Sequence, residues 1–440
     1  MNKKIFISYS WSDSKIVDII DNDFSSIGIS LIRDQRDAKN YESLTIFMKK
    51  IRNADFVIHV ISESYLKSLN CMFEVNELTK DNDFDKKIFP IIIKKENFNI
   101  YSLNSSVEFI NYWENKYKKF QNKISKIENE SFKKEPLERL KTLHDICKSI
   151  GNFIKVIQDK KSPSLDELRK SNYKPILDKI GFENLVSNII VELIKIQKMK
   201  NREEQDLLLD KLLKKYPKNK YIYFCKADIE GNRGEYNNAI INYSNAIKID
   251  TTYVDPYIKR GVIYGKQYEE NGNQQDFISA KENLEKAKEL GPQYIEIYNN
   301  LGILYRLHEN YELAEKELTT ALKMNPYFIP AYNNRGIVYE RQKLFDKAIE
   351  DYTYAIKINP NYPKAYENRG IVFSQQKKYE LAEKDFNKAI EIDPDNAGTY
   401  FNRGKLYLEL EKFDLWKKDF NKANELDPNY INNHTNHISF

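Results

Sequence analysis

The chain has 440 residues, of which 41% are hydrophobic and 31% are charged. This composition is typical of soluble globular structure rather than disorder, and the length predicts about three domains. Lysine and arginine number 70 against 65 aspartates and glutamates, so the net charge is only +5, and the two signs are interleaved. Interleaving argues against a dedicated nucleic-acid-binding protein, which would concentrate basic charge on one face.

Cysteines and apolar runs indicate neither an oxidising compartment nor a membrane. Cys71, Cys147 and Cys225 are too far apart for a disulfide framework or a zinc site, so we expect reduced thiols in the cytoplasm and no metal site. The first lysines imitate the start of a signal peptide, but Ser8 and Ser10 interrupt the apolar stretch at once. No run is long enough to span a bilayer.

The first part of the chain alternates between strand and helix patterns. Short apolar runs predict parallel strands buried on both faces, and amphipathic segments predict helices. The predicted elements are strand 4–9, a helix that Ser12 caps and that runs to about Ser25, strand 29–32, helix 44–53, strand 56–61, helix 65–78 and strand 87–93. In the first helix, the expected buried face is Ile16, Ile19, Ile20 and Phe24. The alternation predicts an α/β domain with a parallel sheet and helices on both faces.

Polar segments follow the carboxyl ends of three predicted strands. They are residues 8–10, the loop 33–43 (RDQRDAKNYES) and residues 62–74. Ligands bind beyond the carboxyl ends of the strands in parallel sheets, so we expect these segments to converge on one rim. Glu74 is the most informative residue, because a carboxylate on a helix after a strand end can face the cleft. An enzyme is expected if Glu74 faces that cleft, and a scaffold if it faces water.

Residues 112–200 are helical in pattern and rich in lysine. Segment 115–134 lacks strong amphipathicity, which leaves open an exposed helix or a mobile insertion. Segment 140–157 predicts a better packed helix, and the sequence KSPS at 161–164 interrupts it. Segment 172–181 is expected to form a loop or a short helix.

The second part of the chain repeats itself every 34 residues. The recurring positions are Gly302, Gly336, Gly370 and Gly404, then Ala321, Ala355, Ala389 and Ala423, and Pro326, Pro360, Pro394 and Pro428. So strict a period is typical of stacked structural repeats. We expect two antiparallel helices per repeat, with small residues where the axes approach closely, aromatic residues in wider gaps and proline after the second helix.

These repeats resemble the tetratricopeptide family. Six copies cover residues 220–430, and YNNRGIVYERQKLFDKAIEDYTYAIKINPNY, which begins at Tyr332, is typical; residues 184–219 resemble a degenerate leading copy. The resemblance implies an α-solenoid that binds a protein or peptide on its concave wall. The expected wall residues are Val262, Ile303, Ile337 and Ile371 with Asn299, Arg306, Asn333, Glu340 and Glu367. An amphipathic partner helix and packing within the superhelix both fit this wall.

The first part of the chain resembles a TIR domain over residues 1–160. KIFISYSWSDS is similar to the first strand and its loop, RDQRDAKNYES to the second-strand end and the following loop, and YLKSLNCMFEVNEL to the helix with the Cys-x-x-Glu element. The resemblance implies a flavodoxin-like sheet. Many bacterial TIR domains cleave NAD⁺ at the nicotinamide–ribose bond, which implies that Glu74, three residues after Cys71, is catalytic. Asn70 occupies the position where many catalytic members have Trp.

The residue types suit this chemistry. Cleavage of the bond to ribose passes through an oxocarbenium-like state, which one positioned carboxylate can stabilise. The predicted substrate-binding set is Ser8, Tyr9, Ser10, Arg33, Asp34, Arg36, Asp37, Lys39, Tyr41, Ser43 and Cys71. The aspartates of this set can accept hydrogen bonds from ribose hydroxyls, and its arginines and lysine can bind the pyrophosphate. Its tyrosines can stack on a ring of the substrate. Each of these residues also has a purely structural interpretation. Loop 33–43 could simply be solvated, Cys71 could be a small buried side chain, and His59 could be a core histidine.

The two resemblances together imply a bacterial antiviral immune effector that depletes NAD⁺ or makes a cyclic nucleotide signal when triggered. TIR active sites are usually completed by a second protomer, so we expect TIR self-association, with repeats that sense a trigger or control assembly. NAD⁺ is then a substrate, and no cofactor is expected. The alternative is a non-enzymatic adaptor. The expected boundaries are 1–160 for the TIR domain, 161–219 for a helical linker and leading copy, 220–430 for the repeats and 431–440 for a polar tail.

Overall fold

The computed structural model describes residues 5–29, 31–33, 54–79, 84–93, 100–101, 103–127, 133–160, 162–180 and 184–428. The chain divides into two compact units, Met1–Ile263 and Tyr264–Phe440. Within the described ranges, no helix has the length and apolar character needed to cross a bilayer. The predicted helix over residues 44–53 and the predicted polar tail over 431–440 lie outside these ranges.

Four parallel strands form a sheet in the described part of the first unit. They are β1 (Ile5–Tyr9), β2 (Leu31–Arg33), β3 (Phe56–Ile61) and β4 (Ile88–Ile92), in the order β2-β1-β3-β4. Strands β1 and β3 are buried along their whole length, as apolar runs in a parallel sheet require. The predicted α/β class with a parallel sheet is confirmed.

Helices follow the strands and continue beyond the sheet. They are a 3₁₀ turn (Trp11–Asp13), α1 (Ser14–Ser25), α2 (Glu63–Lys67), α3 (Leu69–Leu78), α4 (Phe84–Lys87), α5 (Leu103–Ile124), α6 (Lys134–Asp159), α7 (Leu165–Lys170), α8 (Lys174–Ile180), α9 (Asn184–Gln197), α10 (Arg202–Lys215), α11 (Lys220–Asn232), α12 (Tyr236–Ile249) and α13 (Val254–Asn271). Segment 172–181 therefore contains a short helix, which was one of its two predicted states.

The buried face of α1 differs from the prediction. Val17, Ile20 and Phe24 are buried, whereas Ile19 is 37% exposed. Aliphatic residues occur on several sides of this helix, so the apolar pattern alone does not fix which stripe faces the sheet. The predicted N-cap, Ser12, lies in the 3₁₀ turn, and Asp13 directly precedes the helix.

Two hydrophobic cores lie on opposite faces of the sheet, because side chains alternate along each strand. Ile5, Ile7 and Tyr9 of β1 belong to the α1-side core, which also contains residues of α1 and α7–α11. Phe6 belongs to the α3-side core, which also contains residues of α2, α3, α5 and α6.

Helix α5 is a packed element of the α3-side core. Its Trp113 is fully buried and donates from Nε1 to the Leu66 carbonyl at 2.9 Å. The helix continues to Ile124, which is also buried. Segment 115–134 is therefore helical up to Ile124, and its residues 115–123 are exposed or half-buried, as the exposed-helix alternative predicted.

The turn after α1 is held by residues from much later in the chain. Gly28 has a φ of +75°, and its carbonyl accepts a hydrogen bond from Tyr253 Oη at 2.8 Å. The Ser26 carbonyl accepts a hydrogen bond from Gln197 Nε2, also at 2.8 Å. Residues of the linker helices and of the first repeat thus belong to the same compact unit as the sheet.

Helix pairs make up the described part of the second unit. They are α14 (Gln274–Leu290), α15 (Ile295–Leu307), α16 (Tyr311–Met324), α17 (Ile329–Arg341), α18 (Phe345–Ile358), α19 (Pro363–Gln375), α20 (Tyr379–Ile392), α21 (Ala397–Glu409) and α22 (Phe413–Leu426). The predicted prolines follow the second helices; for example, Pro326 lies two residues after the end of α16.

The two helices of a repeat approach most closely at its glycine. A Cβ added to Gly336 would lie 2.5 Å from the ring of Tyr352 in the partner helix. Ion pairs join the same two helices: the equivalent pairs are Arg335–Asp351, Arg369–Asp385 and Arg403–Asp419. In the first of them the guanidinium donates to both carboxylate oxygens at 2.8 Å, which is the bidentate geometry that fixes orientation.

Gly28→Ala is expected to destabilise the first unit strongly. Its Cβ would lie 1.6 Å from Tyr253 Oη, in addition to the strained positive φ. The matched control is Gly234→Ala, which has a φ of +78° and nothing within 4 Å of the added Cβ. The control should lose about 1–2 kcal/mol for the backbone alone. Gly28→Ala should lose at least about 1–3 kcal/mol more, because the buried contact is broken. Equal losses in urea unfolding would contradict the contact with Tyr253.

The repeats offer a second matched pair, Gly336→Ala and Gly404→Ala. The Cβ at Gly404 would meet its nearest neighbour, Asp419, at an ordinary 3.6 Å, whereas Gly336 is crowded by Tyr352. We expect Gly336→Ala to cost about 1–3 kcal/mol through overpacking. Gly404→Ala should be neutral or stabilising by up to about 1 kcal/mol through helix propensity. Thermal unfolding of both variants checks the order, and a reversed order would refute the close-approach explanation.

Candidate active site

Two serine caps shape the chain after β3. Ser62 Oγ accepts a hydrogen bond from the Tyr65 amide at 3.0 Å and begins α2, and Ser68 Oγ accepts one from the Cys71 amide at 3.4 Å and begins α3. Serine suits both positions because its side chain satisfies an amide at a helix start. The two short helices carry Tyr65 and Glu74 into the buried layer beside the sheet.

Glu74 is buried against the carboxyl end of β1. The residue is only 3% exposed, and its Oε2 accepts a hydrogen bond from Ser8 Oγ at 2.7 Å. A buried carboxylate is strongly unfavourable unless it is hydrogen-bonded, so this contact is a requirement of the position. Glu74 is therefore not a solvated surface residue, and its carboxylate is fixed at the sheet rim.

Ser8 links Glu74 to two further buried groups. Ser8 Oγ lies 3.0 Å from Tyr65 Oη, which in turn lies 2.7 Å from His59 Nδ1. Ser8 and His59 are direct partners in the register of β1 and β3, so both side chains leave the sheet on the same face. We name the four residues His59, Tyr65, Ser8 and Glu74 the Glu74 cluster.

Burial decides the ionisation of two members of the Glu74 cluster. It lowers the pKa of His59 to about 3, so the imidazole is neutral at neutral pH. Burial, and after it the neighbouring Cys71 and Glu74, raises the pKa of Tyr65 well above its usual range. Both groups therefore act as hydrogen-bonding partners rather than as charges.

Sequence reasoning missed Tyr65 and gave His59 a purely structural role. His59 is fully buried, as expected of a core histidine, but it also belongs to the polar chain that ends at Glu74. A signal was present in the sequence, because Ser8 and His59 interrupt otherwise apolar strands. Buried polar groups require hydrogen-bond partners, and two such groups on neighbouring strands predict a third residue that bonds to both.

Cys71 ties α3 to the end of β1. It is buried, and its Sγ lies 3.5 Å from the Tyr9 carbonyl oxygen. This is the contact of a small buried side chain with the backbone, which supports the structural interpretation of Cys71 rather than a nucleophile.

A second buried carboxylate lies in the turn after β1. Asp13, which sequence reasoning missed, accepts a hydrogen bond from Ser62 Oγ at 2.6 Å. In the same turn Ser10 Oγ lies 3.3 Å from Ser12 Oγ. Because Ser62 also caps α2, Asp13 joins the loop after β1 to the loop after β3.

Arg33 and Tyr9 lie on the other face of the sheet. The register pairs Arg33 with Ile7, whose side chain belongs to the α1-side core together with Tyr9. The Arg33 guanidinium donates to Asp18 at 2.5 Å and to Asp21 at 3.0 Å, and it lies 5.8 Å from the Tyr9 ring centroid. The structure therefore does not bring Arg33 or the Tyr9 ring to the Glu74 cluster, and their substrate contacts stay predictions.

The remaining predicted substrate-binding residues lie outside the described part of the chain. They are Asp34, Arg36, Asp37, Lys39, Tyr41 and Ser43. Of the predicted set, Ser8 contacts Glu74 directly. Ser10 lies in the turn after β1, and Cys71 lies in the first turn of α3. Within the described ranges, no group of His, Cys, Asp and Glu side chains could hold a metal ion.

Several polar residues that were predicted to line the concave wall form hydrogen bonds between successive repeats. The hydrogen-bonded pairs are Asn334–Asn299, Asn368–Asn333 and Asn402–Glu367, each 2.9 Å long. Ile337 and Ile371 pack against the cores of their repeats. These contacts, together with the 3.0 Å hydrogen bond that Gln375 Nε2 of the next repeat donates to Glu340, support packing within the superhelix for six of the nine predicted wall residues, namely Asn299, Asn333, Glu340, Glu367, Ile337 and Ile371.

The fold and the Glu74 cluster define an α/β domain with a buried carboxylate at its rim, followed by helical repeats. Residues 5–127 match the family model described as TIR domain. Residues 227–267 match a model described as TPR repeat, and residues 295–328, 329–362, 363–396 and 397–430 match models described as tetratricopeptide repeat. The chain therefore combines a TIR domain with tetratricopeptide repeats.

Several solved structures are similar to part of the chain. MamA is 29% identical and covers 40% of this chain and 93% of its own, with a TM-score of 0.33. A tetratricopeptide repeat protein from Parabacteroides merdae is 22% identical and covers 54% of this chain and 92% of its own, with a TM-score of 0.44. YrrB, a TPR protein with an unusual peptide-binding site, is 22% identical and covers 46% and 97%, with a TM-score of 0.34. No curated protein matches the chain.

The buried, neutral His59 predicts a pH dependence of stability. Its pKa is about 3 in the folded protein against 6.5 ordinarily, so between these values the unfolded state binds a proton that the folded state does not. The stabilisation is complete above pH 6.5 and is lost as the pH falls, by about 1.4 kcal/mol per pH unit. Urea unfolding between pH 6.5 and 5 should show a flatter decline for His59→Gln than for the wild type. Parallel profiles would contradict the prediction.

Proposed function

We propose that the chain is a TIR-type NAD⁺ glycohydrolase that cleaves the nicotinamide–ribose bond under the control of its repeats. A TIR domain joined to tetratricopeptide repeats indicates a TIR-type signalling, effector or adaptor protein. The observation that favours an enzyme is the buried Glu74 carboxylate, which Ser8 orients at the carboxyl end of the sheet. A desolvated carboxylate lowers stability, and such costly groups concentrate at functional sites.

The proposed reaction needs one well-placed negative charge. The electron pair of the bond between ribose C1′ and nitrogen leaves with nicotinamide, and C1′ becomes an oxocarbenium-like centre. A nearby carboxylate stabilises this developing positive charge, and we assign that role to Glu74. Water then adds to C1′ and loses a proton, which yields ADP-ribose. Attack by an adenine ring nitrogen in place of water yields a cyclic product.

No general acid is required, because nicotinamide is already cationic in NAD⁺ and leaves as a neutral base. The partners of Glu74 agree with this scheme: His59 is neutral and Tyr65 keeps its proton near neutral pH. Catalysis then depends on where a charge is held rather than on proton transfer. NAD⁺ is the substrate in this scheme, and no step uses a bound cofactor.

The repeats are proposed to sense a trigger or to control TIR self-association in a cytoplasmic, bacterial antiviral effector. Binding of a protein or peptide to the concave wall would supply the trigger.

Purified protein is expected to consume NAD⁺ and release nicotinamide when molecular crowding brings TIR domains together. Glu74→Gln keeps the side-chain volume and an acceptor for Ser8 but removes the charge, so kcat should fall by at least about 100-fold. The control is Glu138→Gln, which removes the same charge from the exposed surface of α6 and should leave kcat unchanged. Mass spectrometry of nicotinamide, ADP-ribose and cyclic products provides the measurement.

Two results would revise the proposal in different ways. Equal NAD⁺ loss in the wild type and in Glu74→Gln would remove Glu74 from the mechanism. If NAD⁺ is stable under every assembled condition while TIR domains still associate in sedimentation experiments, the chain is the non-enzymatic adaptor.

A further inference from the structure

We propose that His59 and Tyr65 are positioning residues, which act through Ser8 to hold the Glu74 carboxylate in one orientation. The hydrogen bonds of the Glu74 cluster then all run in the same direction, from His59 to Tyr65, from Tyr65 to Ser8 and from Ser8 to Glu74. Only the catalytic consequence of this arrangement rests on the proposed function; the direction of the hydrogen bonds does not.

The direction follows from the hydrogens that each group has to donate. An ionised carboxylate only accepts, so the single hydroxyl hydrogen of Ser8 goes to Glu74 Oε2, 2.7 Å away. Ser8 Oγ therefore accepts from Tyr65 Oη at 3.0 Å. The phenol hydrogen is then in use, and Tyr65 Oη accepts from His59 Nδ1 at 2.7 Å.

This direction fixes the tautomer of His59. A neutral imidazole has one N–H group, so a proton on Nδ1 leaves Nε2 as a bare acceptor. Within the described residues, His59 Nε2 is buried and has no hydrogen-bond partner. A buried N–H without an acceptor is rarer in proteins than a buried acceptor without a donor, so the environment of Nε2 favours the same tautomer.

Packing keeps the Glu74 cluster in this state. The rings of Phe153 and Tyr65 meet the imidazole edge-on, with centroids 6.1 and 6.0 Å away. His59, Tyr65 and Ser8 are fully buried, so water does not compete for their hydrogen bonds. Hydrogen bonds in a chain polarise one another when all point the same way. The donor that meets Glu74 is thereby strengthened, which favours an ionised carboxylate in a single rotamer.

The tautomer can be measured without any activity assay. The chain has five histidines, so the full-length protein with ¹⁵N-labelled histidine gives a simple long-range ¹H–¹⁵N correlation spectrum. We expect His59, assigned by the loss of its signals in His59→Gln, to carry its proton on Nδ1. An Nε2–H tautomer in the wild type would overturn the proposed direction.

The catalytic consequence is tested with Tyr65→Phe, which removes the middle hydroxyl and keeps the ring. Since this residue orients Glu74 rather than holding substrate, kcat for NAD⁺ cleavage should fall by about 10- to 100-fold with KM changed by less than about threefold. Tyr101→Phe is the matched control, because Tyr101 Oη also donates a 2.8 Å hydrogen bond, to the Ser162 carbonyl, outside the Glu74 cluster. Circular dichroism confirms that each variant is folded.

The outcomes separate this proposal from the proposed function. If the wild type and Tyr65→Phe have the same kcat, the positioning role is refuted while NAD⁺ cleavage stands. If the wild type does not consume NAD⁺, the proposed function fails, and the histidine spectra decide the direction of the hydrogen bonds by themselves. A larger effect on KM than on kcat would place Tyr65 in substrate binding and would also overturn the proposal.

Discussion

A carboxylate that is taken out of water must find hydrogen bonds, and the arrangement around Glu74 follows from this constraint. Ser8 donates one of these hydrogen bonds, and its place on β1 is set by the parallel register with His59 on β3. Tyr65, delivered by the capped helix after β3, closes the gap between them. Because its histidine is neutral and its phenol protonated, the cluster accommodates an ionised Glu74 without a second buried charge.

Close approach of helices imposes a comparable constraint on the repeats. Alanine at 314, 348 and 382 stands in the second helix of successive pairs, and each of these residues is fully buried. In the last pair Trp416 replaces the alanine, and Gly404 opposite it has ordinary contact distances instead of a clash. A Cβ at position 404 would therefore fit without displacing a neighbour, and glycine is not required there. Such an irregular final pair is typical of a repeat that covers the end of an array.

The periodic parts of the molecule could be predicted from the sequence because their rules are local. Apolar runs identified the parallel strands, and the 34-residue period identified the helix pairs. Contacts set by distant residues could not be predicted: Tyr65 and Ser8 are 57 positions apart, and Tyr253 and Gly28 are 225 positions apart. Strand register is equally invisible in a single sequence.

Register also explains why Arg33 does not lie beside Glu74, although both were expected at one rim. Arg33 is the last residue of β2 and so does lie at the carboxyl end of the sheet. Pairing of Arg33 with Ile7, however, directs its side chain to the α1 side of the sheet, where Asp18 and Asp21 bind it. A shift of one residue in the register would have exchanged the two faces.

The α1-side core shows how far the structural unit around the TIR sheet extends. Apolar residues of β1 and α1 pack there with Leu168, Ile190 and Ile222, all of which follow residue 160 in the chain. Polar contacts strengthen the same junction, since Asp23 on α1 accepts a hydrogen bond from Tyr173 Oη at 2.8 Å. A fragment that ends at residue 160 would expose this apolar face of the sheet and lose stability in proportion to the exposed area. Measurements on such a fragment would therefore describe a destabilised sheet, and the Glu74 cluster on its opposite face is best studied in the longer chain.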